Sequence, residues 1–228
     1  MGELEKLFNE CTQKNCYKWR HYLDIYERYL APFRNTPCVY LEIGVFEGGS
    51  LDLMRKYLGP QARIIGVDVL PSCKEYEKNG YEIYIGDQAD NRFLVDHLIK
   101  QVGAADIIID DGGHTPDQQI TSFFNLFPIL KDGGIYLVED LHATFREEKN
   151  ASRYGINFFD LAKGLADKLS YWHLNPASFE RFKLPYDKRA APMKVDNFAT
   201  TQIYGIHFYD SVIVFEKRAI REPVVERR

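Results

Sequence analysis

From Cys38 onwards short apolar runs alternate with helical segments, and this alternation limits the fold more than any other feature of the chain. Residues 38–43, 63–68, 81–86, 105–110 and 134–139 read as strands. The stretches between them, 50–58, 72–78, 90–101 and 116–130, carry helical spacing. Such a pattern predicts a parallel sheet joined by right-handed crossovers, with helices on both faces. Pro71, Pro116 and Pro128 fall near expected helix ends, and Lys131-Asp-Gly-Gly134 reads as a turn before the fifth strand. Ile203–Tyr209 and Val212–Lys217, separated by Asp210-Ser211, read as a terminal antiparallel hairpin. The expected class is α/β, a Rossmann-like sheet closed by that hairpin.

Upstream, residues 3–9 and 17–30 read as helices. Trp19, Tyr22, Leu23, Tyr26 and Leu30 form one apolar stripe, which packs on the sheet, covers a ligand or meets a second subunit. The expected organisation is therefore an N-terminal helical cover over 1–34, one domain over 35–218 and a frayed tail over 219–228. A long helix is expected at 154–173. Residues 174–201, with Pro176, Pro185 and Pro192, read as an irregular insertion near the site.

Composition excludes several classes. A net charge of −4 leaves no electrostatic footprint for nucleic acid. Cys11, Cys16, Cys38 and Cys73 form neither a C-x-x-C pair nor a disulfide framework, so free thiols in a reducing, cytoplasmic setting are expected. The first residues lack the apolar region of a signal peptide, and no apolar run is long enough to span a membrane.

The chemistry concentrates at strand ends, where ligands bind in an open α/β sheet. Leu41-Glu-Ile-Gly-Val-Phe-Glu-Gly-Gly-Ser50 places Gly44, Gly48 and Gly49 after the first strand, and Ser50 is expected to cap the next helix. Asp68 ends the second strand, in position for ribose hydroxyls. Glu42 stands where a dinucleotide would bring its pyrophosphate, so a cationic cofactor fits better than a phosphorylated one. Glu-x-Gly with an acid on the second strand resembles the class I S-adenosylmethionine-dependent methyltransferases, whose cofactor carries a sulfonium.

Further acids follow: Asp87 and Gln88 in Gly86-Asp-Gln-Ala-Asp90, then Asp110-Asp111, then Glu139-Asp140. If the fourth and fifth strands are neighbours, these last carboxylates crowd together unless a cation neutralises them. Oxygen ligands favour Mg²⁺, with Mn²⁺ or Ca²⁺ as alternatives. Because side chains alternate along a strand, Asp110 and Asp111 need not both reach the ion. His114, on the glycine-hinged Asp111-Gly-Gly-His-Thr115, is the candidate general base, with His142 as competitor.

The run from Val39 to about Phe145 resembles the metal-dependent sugar O-methyltransferases of macrolide pathways, the mycinamicin and macrocin type. The matching segments are Leu41-Glu-Ile-Gly-Val, Gly48-Gly-Ser, Gly86-Asp-Gln-Ala-Asp, Ile109-Asp-Asp-Gly-Gly-His-Thr115 and Tyr136-Leu-Val-Glu-Asp-Leu141. The resemblance implies Mg²⁺ on Asp111, Glu139 and Asp140, with His114 as base. It also implies S-adenosylmethionine contacts from Glu42, Gly44, Ser50, Asp68, Asp87, Gln88 and Asp110. A small glycoside or sugar acceptor and a homo-oligomer, dimer or tetramer, are expected. Gly113 departs from the pattern, where Ser is expected, and residues 146–201 are assigned to the acceptor pocket. The rival readings are a methyltransferase for catechols or other vicinal diols, a nicotinamide oxidoreductase, and a non-catalytic binding module.

Overall fold

The structure is a computed structural model and describes residues 2–11, 16–146 and 152–226. Its seven strands are β1 (Val39–Ile43), β2 (Arg63–Asp68), β3 (Glu82–Ile85), β4 (Ala105–Asp110), β5 (Leu130–Val138), β6 (Ile203–Tyr209) and β7 (Val212–Lys217). They form one sheet in the order β3-β2-β1-β4-β5-β7-β6. The first five run parallel, and β7 is antiparallel to both β5 and β6. This is the expected class I methyltransferase architecture. The chain reverses between β1 and β4, so a crevice opens above the carboxyl ends of the central strands. Register levels those ends: Ile43 lies opposite Val67 and Asp110, and Asp110 opposite Val138.

Alternation along each strand divides the core in two. Tyr40, Ile64, Ile107, Ile109 and Leu137 face α1 (Glu3–Glu10), α2 (Arg20–Leu30) and α3 (Gly49–Leu58). Leu41, Ile43, Ile108, Tyr136 and Val138 face the opposite layer. That layer holds α4 (Ile99–Val102), α5 (Pro116–Leu126) and α6 (Phe158–Lys168). Of the expected stripe, Tyr22, Leu23, Tyr26 and Leu30 on α2 are buried core, whereas Trp19, just before the helix, is exposed.

The differences from expectation have local causes. The helical stretch expected over 90–101 contains a π turn, Phe93–Leu98, and Pro71–Asn79 is a 3-10 segment rather than an α-helix. α5 stops at Leu126 because Pro128 has no N–H to continue it. The long helix begins only at Phe158, where Asn157 and Asp160 close a capping box. Within 174–201 the chain forms α7 (Ser178–Phe182) and α8 (Phe198–Gln202).

The tail, expected to fray, is instead held to that segment. Arg181 Nε donates to Glu222 Oε2 at 2.7 Å, Tyr186 Oη to the Glu222 carbonyl at 2.8 Å, and the Val225 amide to Phe182 at 2.8 Å. Hydrogen bonding from Arg181, then Arg189, draws the Glu222 carboxyl down to about 2. Residues 227 and 228 lie outside the described residues. Among the described residues, no helix is long and apolar enough to cross a membrane.

Candidate active site

The turn after β1 brings the backbone against the end of β4. Gly44 has φ 96°, and a Cβ there would lie 2.0 Å from the Asp111 carbonyl oxygen, so glycine is required. Gly48, with φ 72°, is itself the cap of α3; Ser50, expected as the cap, sits inside the first turn and lines the cavity.

Asp68 braces this turn. Its Oδ2 accepts from the Val45 and Phe46 amides at 2.8 and 3.0 Å, and Oδ1 from Leu70 at 2.9 Å. A cavity of about 530 Å³ opens above, lined among others by Gly44, Ser50, Asp68, Asp87, Asp111 and His114. That volume suits a nucleoside-sized ligand.

Two residues expected at the cofactor have their polar groups engaged inside the protein. Asp110 is fully buried on the α5 face, where its Oδ1 accepts from Gln88 Nε2 at 2.9 Å. The same Gln88 nitrogen donates to Ser122, and Gln88 Oε1 accepts the Gly113 amide at 2.9 Å. The pair ties the His114 loop to the turn after β3. Burial pushes the Asp110 carboxyl from its ordinary 3.8 to about 6. Between those values the folded protein keeps a proton that the unfolded chain has lost, so stability falls as pH rises through that window. Asp110→Asn removes this titration. Relative to wild type, the variant gains up to about 3 kcal/mol between pH 4 and 6.5 in urea melts. Parallel profiles would refute the assignment.

Asp111 takes the other face. Its Oδ1 lies 4.0 Å from His114 Nε2, and Asp140 Oδ2 lies 3.7 Å from the same nitrogen. One ligand atom from each of Asp111, His114 and Asp140 falls within 4.8 Å of the others. An oxygen-rich set of this kind fits a hard divalent ion. Tyr22 Oη donates to Asp140 Oδ1 at 2.8 Å.

Three residues lining the cavity, Phe46, His114 and Asp140, hold left-handed backbone, with φ of 49°, 59° and 52°. Strain of this order, ~1–3 kcal/mol each, persists only where surrounding structure enforces it. Gly113 also has a reason: a Cβ there would lie 2.2 Å from the Gln118 amide, which closes the capping box of α5. A serine at that position would displace it.

Glu42 and Glu139 are fully buried and do not line the first cavity. Both lie beside Lys18, which the sequence did not single out. Lys18 Nζ is 2.8 Å from Glu139 Oε1, 2.5 Å from Asp111 Oδ2 and 3.9 Å from Glu42 Oε1. Burial opposes the ammonium charge, but Asp111, Glu139 and Glu42 outweigh it and hold Lys18 well above the usual lysine value. Burial likewise raises Glu42 and Glu139, against the pull of Lys18. No spacing marks Lys18, which lies outside helix and strand just before α2.

A second cavity of about 460 Å³ is lined by Phe8, Cys16, Tyr17, Lys18, Trp19, Arg20, Asp111, Glu139 and Asp140. Residues 146–201 are expected to shape the acceptor pocket; of these, the described residues, 146 and 152–201, line neither cavity. Their segment is spent on the contacts of α5, α6 and the tail. Phe158 is core, and Tyr154 bonds Thr121 on α5. His142 Nδ1 lies 2.5 Å from Ser211 Oγ, and its ring meets Trp19 edge-on. Residues 147–151 lie outside the described residues.

No protein-family model matches the chain. Among curated proteins, it is 36% identical, over 89% of its length, to the 8-demethyl-8-alpha-L-rhamnosyl tetracenomycin-C 2'-O-methyltransferase of Streptomyces olivaceus. It is 32% identical, over 95% of its length, to the 8-demethyl-8-(2-methoxy-alpha-L-rhamnosyl)-tetracenomycin-C 3'-O-methyltransferase of the same organism. Both of these relatives are, by name, sugar O-methyltransferases of antibiotic pathways. Among solved structures, the chain superposes on the MycE methyltransferase of the mycinamycin pathway, in complex with Mg, SAH and mycinamycin VI. The TM-score is 0.79, at 25% identity over 99% of the chain and 56% of MycE. The chain spans about half the length of these relatives, 52% and 54% of the two Streptomyces proteins.

Proposed function

We propose that this protein transfers the methyl group of S-adenosylmethionine to a hydroxyl of a sugar or glycosylated natural product, with a divalent ion, Mg²⁺ first, at the acidic strand ends. The observation that carries this reading is that the two cavities share one wall. Cys16, Tyr17, Lys18, Asp111 and Asp140 line both, and His114 stands in the first beside the shared acids. A donor cavity and an acceptor cavity that meet at carboxylates and an imidazole are what hydroxyl methylation requires. The relatives' activities and the Mg and SAH in MycE support the same assignment.

In this reading Asp68 takes the ribose hydroxyls and Asp87 meets the base, while Gln88 lines the same cavity and, with Asp110 behind it, fixes the His114 loop. Asp111 and Asp140, with Glu139, would hold the ion, which would make an acceptor hydroxyl easier to deprotonate. His114 Nε2 would take the hydroxyl proton, and S-adenosylmethionine would supply the methyl group to the oxygen so freed. The sulfonium is already a good leaving group, so the protein contributes mainly position, worth up to ~7–11 kcal/mol at its best. Tyr17 and Trp19, 72% and 55% exposed, offer aromatic faces to the acceptor at the mouth of the second cavity.

Thermal melts with S-adenosylhomocysteine test the donor half. The wild-type melting temperature should rise with ligand because only the native state binds it. Asp68→Ala should lose most of that rise, and its ligand-free Tm should also drop, since three backbone amides lose their acceptor. An undiminished ligand shift in the variant refutes the ribose assignment. Mass-spectrometric detection of methylated product across glycosides, catechols and simple diols tests the acceptor half. Turnover confined to catechols would overturn the sugar reading.

A further inference from the structure

The acidic cluster already contains a cation. Glu42 on β1, Asp111 after β4, and Glu139 and Asp140 after β5 converge from three adjacent strands. Lys18 reaches in among them with a side chain only 2% exposed, deeper than Asp111 at 22% or Asp140 at 25%. Its ammonium donates to Asp111 Oδ2, to Glu139 Oε1 and, at 3.4 Å, to Tyr26 Oη. Asp111 is thus shared: one oxygen faces Lys18, the other faces His114.

A divalent ion on Asp111, Glu139 and Asp140 would stand next to an ammonium that is hydrogen-bonded to two of those three carboxylates. Like charges this close, with little water between them, repel strongly. Lys18 has a way out. Residues 16–19 form neither helix nor strand, and the cavity they line gives the side chain room.

We propose that Lys18 is the built-in counter-ion of the metal-free site and that a divalent ion binds by exchange with it, the ammonium leaving Glu139 and Asp111 as the ion enters. The proposal rests on the metal reading above. It couples metal loading to acceptor recognition, because Lys18 lines the second cavity together with its neighbours Tyr17 and Trp19. It also explains how several carboxylates stay together without an ion: the lysine offsets their repulsion until the ion replaces it.

The test reads Lys18 itself. Wild-type protein is treated with an amine-acylating reagent, with and without saturating Mg²⁺, and modification is mapped by mass spectrometry. Acylation of Lys18 should rise about tenfold or more with Mg²⁺, as the ion shifts the population toward the open lysine. Lys131, paired with Asp106 at the opposite end of the sheet, should not change. In parallel, Mn²⁺ binding is followed by calorimetry in wild type and Lys18→Met. Removing the competitor should tighten the Kd about tenfold or more, and the variant's metal-free Tm should fall. Lys18 remaining protected while Mg²⁺ is bound overturns the exchange and leaves the metal reading standing. An unchanged or weaker Kd in Lys18→Met also overturns it. Failure of wild type to bind Mn²⁺ at all overturns both. The labelling needs no variant, so it decides even if Lys18→Met does not fold.

Discussion

His114→Ala should lower kcat by about two to four orders of magnitude, the usual span for a lost general base. The imidazole stands on a loop whose geometry serves that placement. Gly112 and Gly113 pass tightly under the Gln88 and Gln118 side chains, and His114 then turns its ring inward on left-handed backbone, φ 59°. Nε2 ends between Asp140 and Asp111, at 3.7 and 4.0 Å. Binding of S-adenosylhomocysteine should change little, because its proposed contacts, Asp68 and the glycine turn, do not involve the imidazole. His142→Ala is the control. That ring is engaged by Ser211 and Trp19, so its loss should be milder. If His142→Ala abolishes turnover while His114→Ala stays active, the base has been misassigned.

EDTA should abolish turnover and Mg²⁺ restore it, and Asp140→Asn should reproduce much of the loss at ordinary Mg²⁺ concentrations. The substitution isolates charge from shape. Asp140 has φ 52°, a conformation asparagine also tolerates, and the amide oxygen can still accept from Tyr22. What disappears is one negative charge from the proposed ligand set. The Mg²⁺-induced rise in Tm should therefore shrink in Asp140→Asn, while the S-adenosylhomocysteine-induced rise persists. Full turnover in EDTA would discard the ion and return these acids to the role of loop caps.

Much of this was legible in the chain alone. The strand–helix alternation and the terminal hairpin imposed the sheet, because apolar strands of that length must be buried on both faces and two runs joined by Asp210-Ser211 can only fold back. The acids at strand ends were legible for the same reason: the end of each run is where the crevice lies. Side-chain alternation left Asp110 and Asp111 open, and only the register of β4 between β1 and β5 sends Asp110 towards Gln88 and Asp111 towards the N-terminal layer. Lys18 was invisible because it reaches its partners from 24, 93 and 121 residues away in sequence, and no local spacing encodes such a contact. The resemblance places the acceptor pocket in residues 146–201, of which 174–201 reads as an irregular insertion near the site. The fold instead clips 181–189 to the tail through Glu222 and lays residues 16–20 over the acids. Local pattern determined which elements form and where their ends point; long-range packing decided which charges meet there, because a carboxylate is neutralised by whatever cation the finished fold brings within a few ångströms.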